Sequence, residues 1–240
     1  MADSPSRPDA PARGPQARRA ARGGLAVPPP QHNLDVATAA AWAAVRRQGP
    51  DQLQWLGASR HDGRWSLPVL DGVLSIDSAG GAVLDSAGRA VGPWWRVIVL
   101  HYLGVAGRPD SPPPSLTFAD LPGGRAYAGV YQQRVIHRLC RKAGKDRQAL
   151  RRAGEAVGAT VARDPTGGVS PPGGPPAGDL VLDFRMFPRV GFRLTWYDGD
   201  EDLSPSAALL LPGSIESFFC LEDIVVLSER LVSRLEGGRF

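Results

Sequence analysis

Two strand-like segments joined by a very short link constrain the fold of this chain more than any other feature. Residues 179–187 (DLVLDFRMF) and 190–197 (VGFRLTWY) place apolar and polar residues in a partly alternating pattern, and only Pro188 and Arg189 lie between them. Alternation is typical of β-strands, and a link of this length joins antiparallel neighbours. The sequence therefore predicts a β-hairpin and an antiparallel sheet.

The other regular segments are divided between strands and helices. Turn signals (HDG, DG and AGG) separate brief segments that predict a small antiparallel meander, and one more strand follows the hairpin: residues 64–69, 73–77, 82–85 and 207–211. Apolar residues at helical spacing predict helices: residues 34–48 with Asn33 as N-cap, 94–105, 126–143, 146–157 and 221–235. We therefore expect an α+β fold in which antiparallel sheets are flanked by four or five helices in a single domain.

Two segments are expected to stand outside the packed domain. Residues 1–31 are rich in Arg, Pro and Ala, with Leu25 and Val27 as the only branched aliphatic residues, so they predict a disordered tail ahead of a domain at 32–240. In residues 165–178, ten of fourteen positions are Pro or Gly, which predicts a flexible surface loop.

Charge and cysteine content narrow the classes of function. Residues 1–30 hold five Arg against two Asp and so supply +3 of the net charge of +4, which makes the basic character a property of the tail and a weak indication of nucleic-acid binding. Cys140 and Cys220 are too few for a disulfide framework, a Cys-rich zinc site or an iron–sulfur cluster, and their apolar neighbours predict buried free thiols. With no apolar run long enough to span a membrane, we expect a soluble, cytoplasmic protein.

A run of carboxylates follows the second hairpin strand. Four of five positions in 198–202 are acidic, and such crowding requires a cation or arginine partners to offset the repulsion: Asp198, Asp200, Glu201 and Asp202. One interpretation is a hard-cation site, although the run does not match an EF-hand loop. The other is a solvated turn paired with arginines such as Arg189 and Arg193. Glu222 and Asp223 would join such a site only if the fold brought them close, because the start of a helix already favours acidic side chains.

A basic stripe lies on the predicted helix at 126–143 and just beyond it. Positions i, i+4, i+7 and i+11 are all basic and could attract an anion: Arg134, Arg138, Arg141 and Lys145. No aromatic residue interleaves them and no nucleic-acid-binding motif surrounds them, so a solvated face, or one paired with the acidic C-terminal third, is the expected arrangement.

Motifs of catalysis and of common cofactors are missing. The four histidines lack metal-ligand spacing, no G-x-S-x-G or Walker motif occurs, and the glycine pairs lack the context of a dinucleotide site. His101, alone on an apolar helix, is expected to be a hydrogen-bonded core residue. The sequence identifies no cofactor and does not decide whether the protein is an enzyme.

The order of features resembles that of a known family. From Phe187 to Val232, a Phe-Pro turn, a strand ending in Trp, an acidic run, a Ser/Ala-led strand and a Leu-Glu-Asp helix start follow one another; the Trp42 helix, LHYL (100–103) and LPGG-Tyr (121–127) fit the same order. Over about residues 33–235 the chain is similar to the bacterial domain of unknown function 3786 family. Some relatives are encountered beside corrinoid and iron–sulfur proteins or carry an added cysteine cluster, which implies an accessory role in metallocofactor chemistry. This sequence lacks such a cluster.

Three hypotheses of function follow. The first is a non-catalytic ligand-binding or accessory module, since no nucleophile, base and orienting group can be assembled from the motifs. The second is a metal-dependent enzyme built on the acidic run, and the third is an interaction protein that holds an acidic partner through its basic stripe. A protein or a small molecule is the expected partner, without a membrane or nucleic acid.

Overall fold

The computed structural model describes residues 30–143, 146–163, 179–199 and 201–239. Most of the predicted tail, up to residue 29, and the predicted loop at 165–178 lie outside these ranges. Within them, the chain forms two antiparallel sheets and a set of helices, as the α+β prediction requires. None of the described helices is long and apolar enough to cross a membrane.

The first sheet is the predicted meander with one extra strand at its edge. Its four strands are antiparallel and pair in chain order: β1 Ser59–His61, β2 Arg64–Val69, β3 Gly72–Asp77 and β4 Ala82–Leu84. Trp65, Leu67 and Val69 of β2 are buried while the residues between them are more exposed, so the alternation in the sequence reports one buried face.

The second sheet is built around the predicted hairpin. Its strands lie in the order β5-β9-β8-β7-β6: β5 Pro114–Leu116, β6 Thr160–Arg163, β7 Leu180–Phe187, β8 Val190–Tyr197 and β9 Ser206–Pro212. Leu182 of β7 pairs with Leu194 of β8, which confirms the antiparallel hairpin. The sequence did not predict β1, β5 or β6, which have only three or four residues each.

The helices pack around these sheets. Their bounds are α1 Pro30–Arg46, α2 Pro50–Trp55, α3 Pro93–Leu103, α4 Gly124–Tyr131, α5 His137–Ala143, α6 Arg147–Ala156 and α7 Leu221–Leu235. A π-helical segment, Gln132–Ile136, joins α4 to α5, so 124–143 is one continuous helix and the described residues hold six helices, slightly more than the expected four or five. The prediction missed α2, and α1 begins ahead of the expected cap at Asn33.

An aromatic cluster ties α3 to the second sheet. The ring of Tyr102 stacks on Phe187 at 4.4 Å between centroids, and Phe187 also lies 5.8 Å from Trp95. The Tyr102 hydroxyl donates to the carbonyl of Leu56 at 2.5 Å, so its one polar group is satisfied inside the core. This cluster fixes α3 and leaves one side of its N-terminal end facing outward.

Candidate functional site

The long helix at 124–143 presents two different faces. It starts after Gly123, whose φ of +77° is a left-handed conformation that favours glycine. Tyr131, Val135 and Leu139 are buried against the domain, whereas Tyr127 and Val130 point outward. The π-helical segment adds a residue to one turn, a distortion that occurs often at functional sites.

Helix α7 lies beside this long helix and is fixed at its start by a capping box. Cys220 is the N-cap: its sulfur accepts the backbone N–H of Asp223, and the Asp223 carboxylate accepts the N–H of Cys220 at 3.4 Å. Ile224, Leu227 and Leu231 are buried. The neighbouring stripe of α7, which includes Val225 and Val226, remains partly exposed.

Three contacts hold the two helices in register. The Tyr131 hydroxyl donates to Ser228 Oγ at 3.0 Å. Arg134 donates to both carboxylate oxygens of Glu229, at 2.5 and 2.8 Å, and Arg138 does the same to Glu236, at 3.1 and 2.6 Å. Residue numbers rise together along both helices, so they run in the same direction.

A groove of about 600 Å³ lies between these two helices, and the outward end of α3 contributes to it. We call it the α4–α7 groove. Three exposed large apolar side chains converge there: Trp94, Tyr127 and Val130, with 58%, 49% and 49% of their surface accessible. The remaining lining consists of Phe118, Arg134, Arg138, Leu221, Glu222, Val225, Val226, Glu229, Arg230 and Ser233.

The charged residues of the groove are largely held by fixed partners. The Glu236 carboxylate raises the pKa of Arg138 through its hydrogen bonds. Burial lowers the pKa of Arg230, whose guanidinium lies 5.5 Å from the ring centroid of Trp95. The groove therefore combines an apolar middle with guanidinium groups that are oriented before any ligand arrives.

Only part of the predicted basic stripe lies on the surface of the groove. Arg134 and Arg138 line the groove, whereas Arg141 is exposed and is not among the lining residues, and Lys145 lies outside the described residues. The π-helical segment contains Arg134 and changes the helical register, so the i, i+4, i+7 spacing of a regular α-helix does not hold across it. The acidic C-terminal third supplies the partners of Arg134 and Arg138.

The described carboxylates of the acidic run, Asp198, Glu201 and Asp202, are not among the residues that line the groove. Asp198 accepts hydrogen bonds from Arg147 at 2.5 Å and from the indole of Trp196 at 3.0 Å, and its backbone N–H donates to Asp179. The suggested partners Arg189 and Arg193 are engaged elsewhere: Arg189 donates to the carbonyl of Trp55, and Arg193 donates to Asp183. Arg147 of α6 was not predicted, because it is 51 residues away in the chain.

Among the described candidate carboxylates, Asp198 does not form a metal-binding group with the others. Glu201 and Asp202 are exposed, and Asp200 lies outside the described residues. Glu222 lines the groove, whereas the Asp223 carboxylate is hydrogen-bonded to His101. In the described part of the chain, no three His, Cys, Asp or Glu side chains are placed to hold a metal ion together.

A His–Asp pair at the start of α7 has some features of a catalytic dyad. His101 Nδ1 and Asp223 Oδ2 are 2.7 Å apart, so the histidine is hydrogen-bonded as predicted, but 34% of its side chain is accessible, so it is not the core residue that was expected. Cys220 is nearby, but it is exposed rather than buried as predicted, because the N-cap lies where the chain turns at the surface. Although the residue as a whole is exposed, its thiol group is partly desolvated by its surroundings, and this partial burial, with the adjacent Asp223, raises the pKa of Cys220 to about 11, the opposite of what a nucleophilic thiolate needs.

Sequence reasoning named Arg134, Arg138 and Glu222 but missed the apolar side chains of the groove. Trp94 gave no clear signal, because it lies four residues before Ile98 and so shares a side of the helix with that core residue. Tyr127 and Val130 also gave none, since an apolar residue at helical spacing is most often part of the core.

The fold and groove together define a class: an α+β domain with two antiparallel sheets and a preformed surface groove between helices. Comparison with known families agrees with the resemblance seen in the sequence. The family described as Domain of unknown function (DUF3786) matches residues 51–234, so the chain belongs to that family. No curated protein and no solved structure matches the chain.

Proposed function

We propose that this protein is a non-catalytic ligand-binding module and that the α4–α7 groove is its binding site. The observation that carries the proposal is the convergence of Trp94, Tyr127 and Val130 on one concave surface. Contiguous exposed apolar patches on folded proteins mark sites of interaction. The cavity volume of about 600 Å³ lies in the range of ligand sites.

The groove is also preorganised by contacts that do not depend on a ligand. The Tyr131–Ser228 hydrogen bond and the Arg134–Glu229 pair fix the spacing of the two walls. The conformational entropy of these side chains is therefore already lost in the folded protein. A ligand loses less entropy when it binds to such side chains, which favours affinity.

A metal-dependent enzyme built on the acidic run has less support. Asp198 already has Arg147 and Trp196 as partners, and such pairing offsets the repulsion that suggested a cation. The link to metallocofactor chemistry and the cytoplasmic location stay predictions and do not enter the proposal.

The test uses 1-anilinonaphthalene-8-sulfonate, a fluorescent probe that joins an aromatic body to an anionic group. We expect saturable binding to the wild-type protein and at least a tenfold loss of affinity in Tyr127→Ala and in Val130→Lys. Matched controls are Tyr197→Ala and Val36→Lys, which change exposed residues of the same type, with 37% and 56% of their surface accessible, outside the groove.

Thermal melting of each variant must accompany the titration, because this probe also binds partly unfolded chains. Equal affinity in groove and control variants, with melting temperatures unchanged, would show that the probe binds elsewhere and would remove the groove as the site.

A further inference from the structure

We infer that the α4–α7 groove receives an amphipathic α-helix of a partner protein, apolar along the face it inserts and acidic where it passes Arg141 and Lys142. This inference rests on the proposed function and names the partner class for the same site.

The shape of the groove suits a helix. Its two walls run in the same direction, and the outward stripe from Tyr127 to Arg138 spans twelve residues, or eleven helical steps. At 1.5 Å per residue the wall is about 16 Å long, or roughly three turns. The facing stripe of α7, from Glu222 to Ser233, has the same length. A third helix laid between two neighbouring helices is an established mode of peptide recognition.

The exposure of the lining favours a macromolecular partner over a small molecule. A small-molecule site buries about 70–90% of its ligand, which requires walls that enclose it. Trp94 is 58% accessible and Tyr127 and Val130 are each 49% accessible, so these side chains cover only one side of an occupant. A partner helix needs cover on one face alone. Trp, Tyr and Arg, all present here, are the residue types enriched at the energetic centres of protein interfaces.

The charge of the groove wall formed by residues 124–143 indicates the charge expected of the partner. Residues 124–143 contain five Arg or Lys and no Asp or Glu. Glu229 and Glu236 of the described α7 region pair with Arg134 and Arg138, whereas Arg141 and Lys142, one turn beyond Arg138, are exposed. Just beyond the groove lining, the long helix therefore presents two cationic groups to a helix that extends past Arg138, and acidic side chains are their electrostatic complement.

The experiment is a selection followed by a direct titration. A phage-displayed library of helix-forming 16-residue peptides is selected on the full chain and counter-selected on Val130→Lys. We expect enriched peptides to carry apolar residues at i, i+3 or i+4, and i+7, with Asp or Glu toward one end. An enriched peptide, labelled with fluorescein, is then titrated by fluorescence anisotropy.

The titration separates the apolar and the charged parts of the inference. Val130→Lys and Tyr127→Ala should each weaken the peptide at least tenfold, while Val36→Lys should not. The double change Arg141→Glu and Lys142→Glu should weaken it several-fold at low salt and by less at high salt, because exposed charges are screened. Thermal melts confirm that each variant is folded.

The outcomes also separate this inference from the proposed function. If no peptide is enriched, or if the enriched peptides are basic or lack helical spacing, the partner class is wrong. The groove would still be a binding site if the naphthalene probe lost affinity in the groove variants, and its ligand would then be a small molecule. If the probe is also indifferent to those variants, both proposals fail.

Discussion

Two adjacent tryptophans, Trp94 and Trp95, belong to two different apolar regions of this molecule. Trp95 is fully buried beside Phe187 in the aromatic cluster that joins α3 to the second sheet, whereas 58% of the surface of Trp94 is accessible in the α4–α7 groove. Both regions are rich in aromatic residues. Among the residues that the structure describes, only the first region is closed by packing within the domain.

The difference teaches how apolar surface is used in this fold. A buried aromatic side chain stabilises the native state through the area it removes from water. The groove residues Trp94, Tyr127 and Val130 keep about half of their surface in water, so most of that stabilisation is not realised within the chain. Covering these side chains would release it.

The largest expected effect comes from the aromatic cluster. Phe187→Ala should lower the free energy of unfolding by about 3–5 kcal/mol, because it removes a fully buried ring and leaves a cavity. Tyr127→Ala in the groove should change it by less than about 0.5 kcal/mol. Urea denaturation followed by circular dichroism measures both. Similar losses in the two variants would mean that the groove is part of the folding core.

A second, smaller effect tests the structural role of the acidic run. Asp198→Ala should cost about 1–3 kcal/mol, because the indole N–H of the buried Trp196 loses its acceptor. Asp198→Asn keeps an acceptor oxygen and should cost at most about 1 kcal/mol, since the bond to Arg147 is partly exposed. Thermal or urea unfolding measures both variants, and equal costs would contradict this assignment of the Trp196 contact.

The thiol at the start of α7 should behave as a structural cap. Its pKa, raised to about 11 mainly by burial, keeps Cys220 protonated at pH 7–9, and the thiolate appears only as the pH approaches 11. Alkylation by iodoacetamide at pH 8 should therefore be about tenfold or more slower than that of glutathione and should keep rising above pH 10. Mass spectrometry of the Cys220 peptide follows the rate. Rapid alkylation at pH 7 would instead support a nucleophile oriented by His101 and Asp223.

The smallest expected effect is that of metal ions. Because Asp198 is paired with Arg147, millimolar Mg²⁺, Ca²⁺ or Mn²⁺ should leave the melting temperature of the wild-type protein unchanged. A cation that bound the native state would raise it by mass action. A metal-dependent rise that disappears in Asp200→Ala would make the metal-dependent enzyme the leading hypothesis.

Much of the fold could be predicted because its main signals are local. The alternation in residues 179–197 predicted β7 and β8, and the helical spacing of Ile224, Leu227 and Leu231 predicted α7. The missed elements are short: β5 has three residues and is defined by its pairing with β9, which is far away in the chain. In α2 only Leu53 is buried, so it has no apolar face to recognise.

The groove could not be predicted, because it depends on which apolar faces find a partner. Tyr127 and Val130 have the spacing of core residues, and only the packing of α7 beside Tyr131 leaves them exposed. The π-helical segment at Gln132–Ile136 also has no simple sequence signal. The sequence allowed the expectation that the basic stripe pairs with the acidic C-terminal third. It could not predict which residues pair, since Glu229 and Glu236 lie more than 90 residues away from Arg134 and Arg138.

The most direct test of the account compares stability and binding in one variant, Trp94→Ala. The central claim is that the groove serves binding and contributes little to folding. We expect the free energy of unfolding to stay within about 0.5 kcal/mol of the wild-type value, while the affinity for 1-anilinonaphthalene-8-sulfonate falls at least tenfold. A loss of stability above about 2 kcal/mol, or an unchanged affinity in a fully folded variant, would contradict that claim.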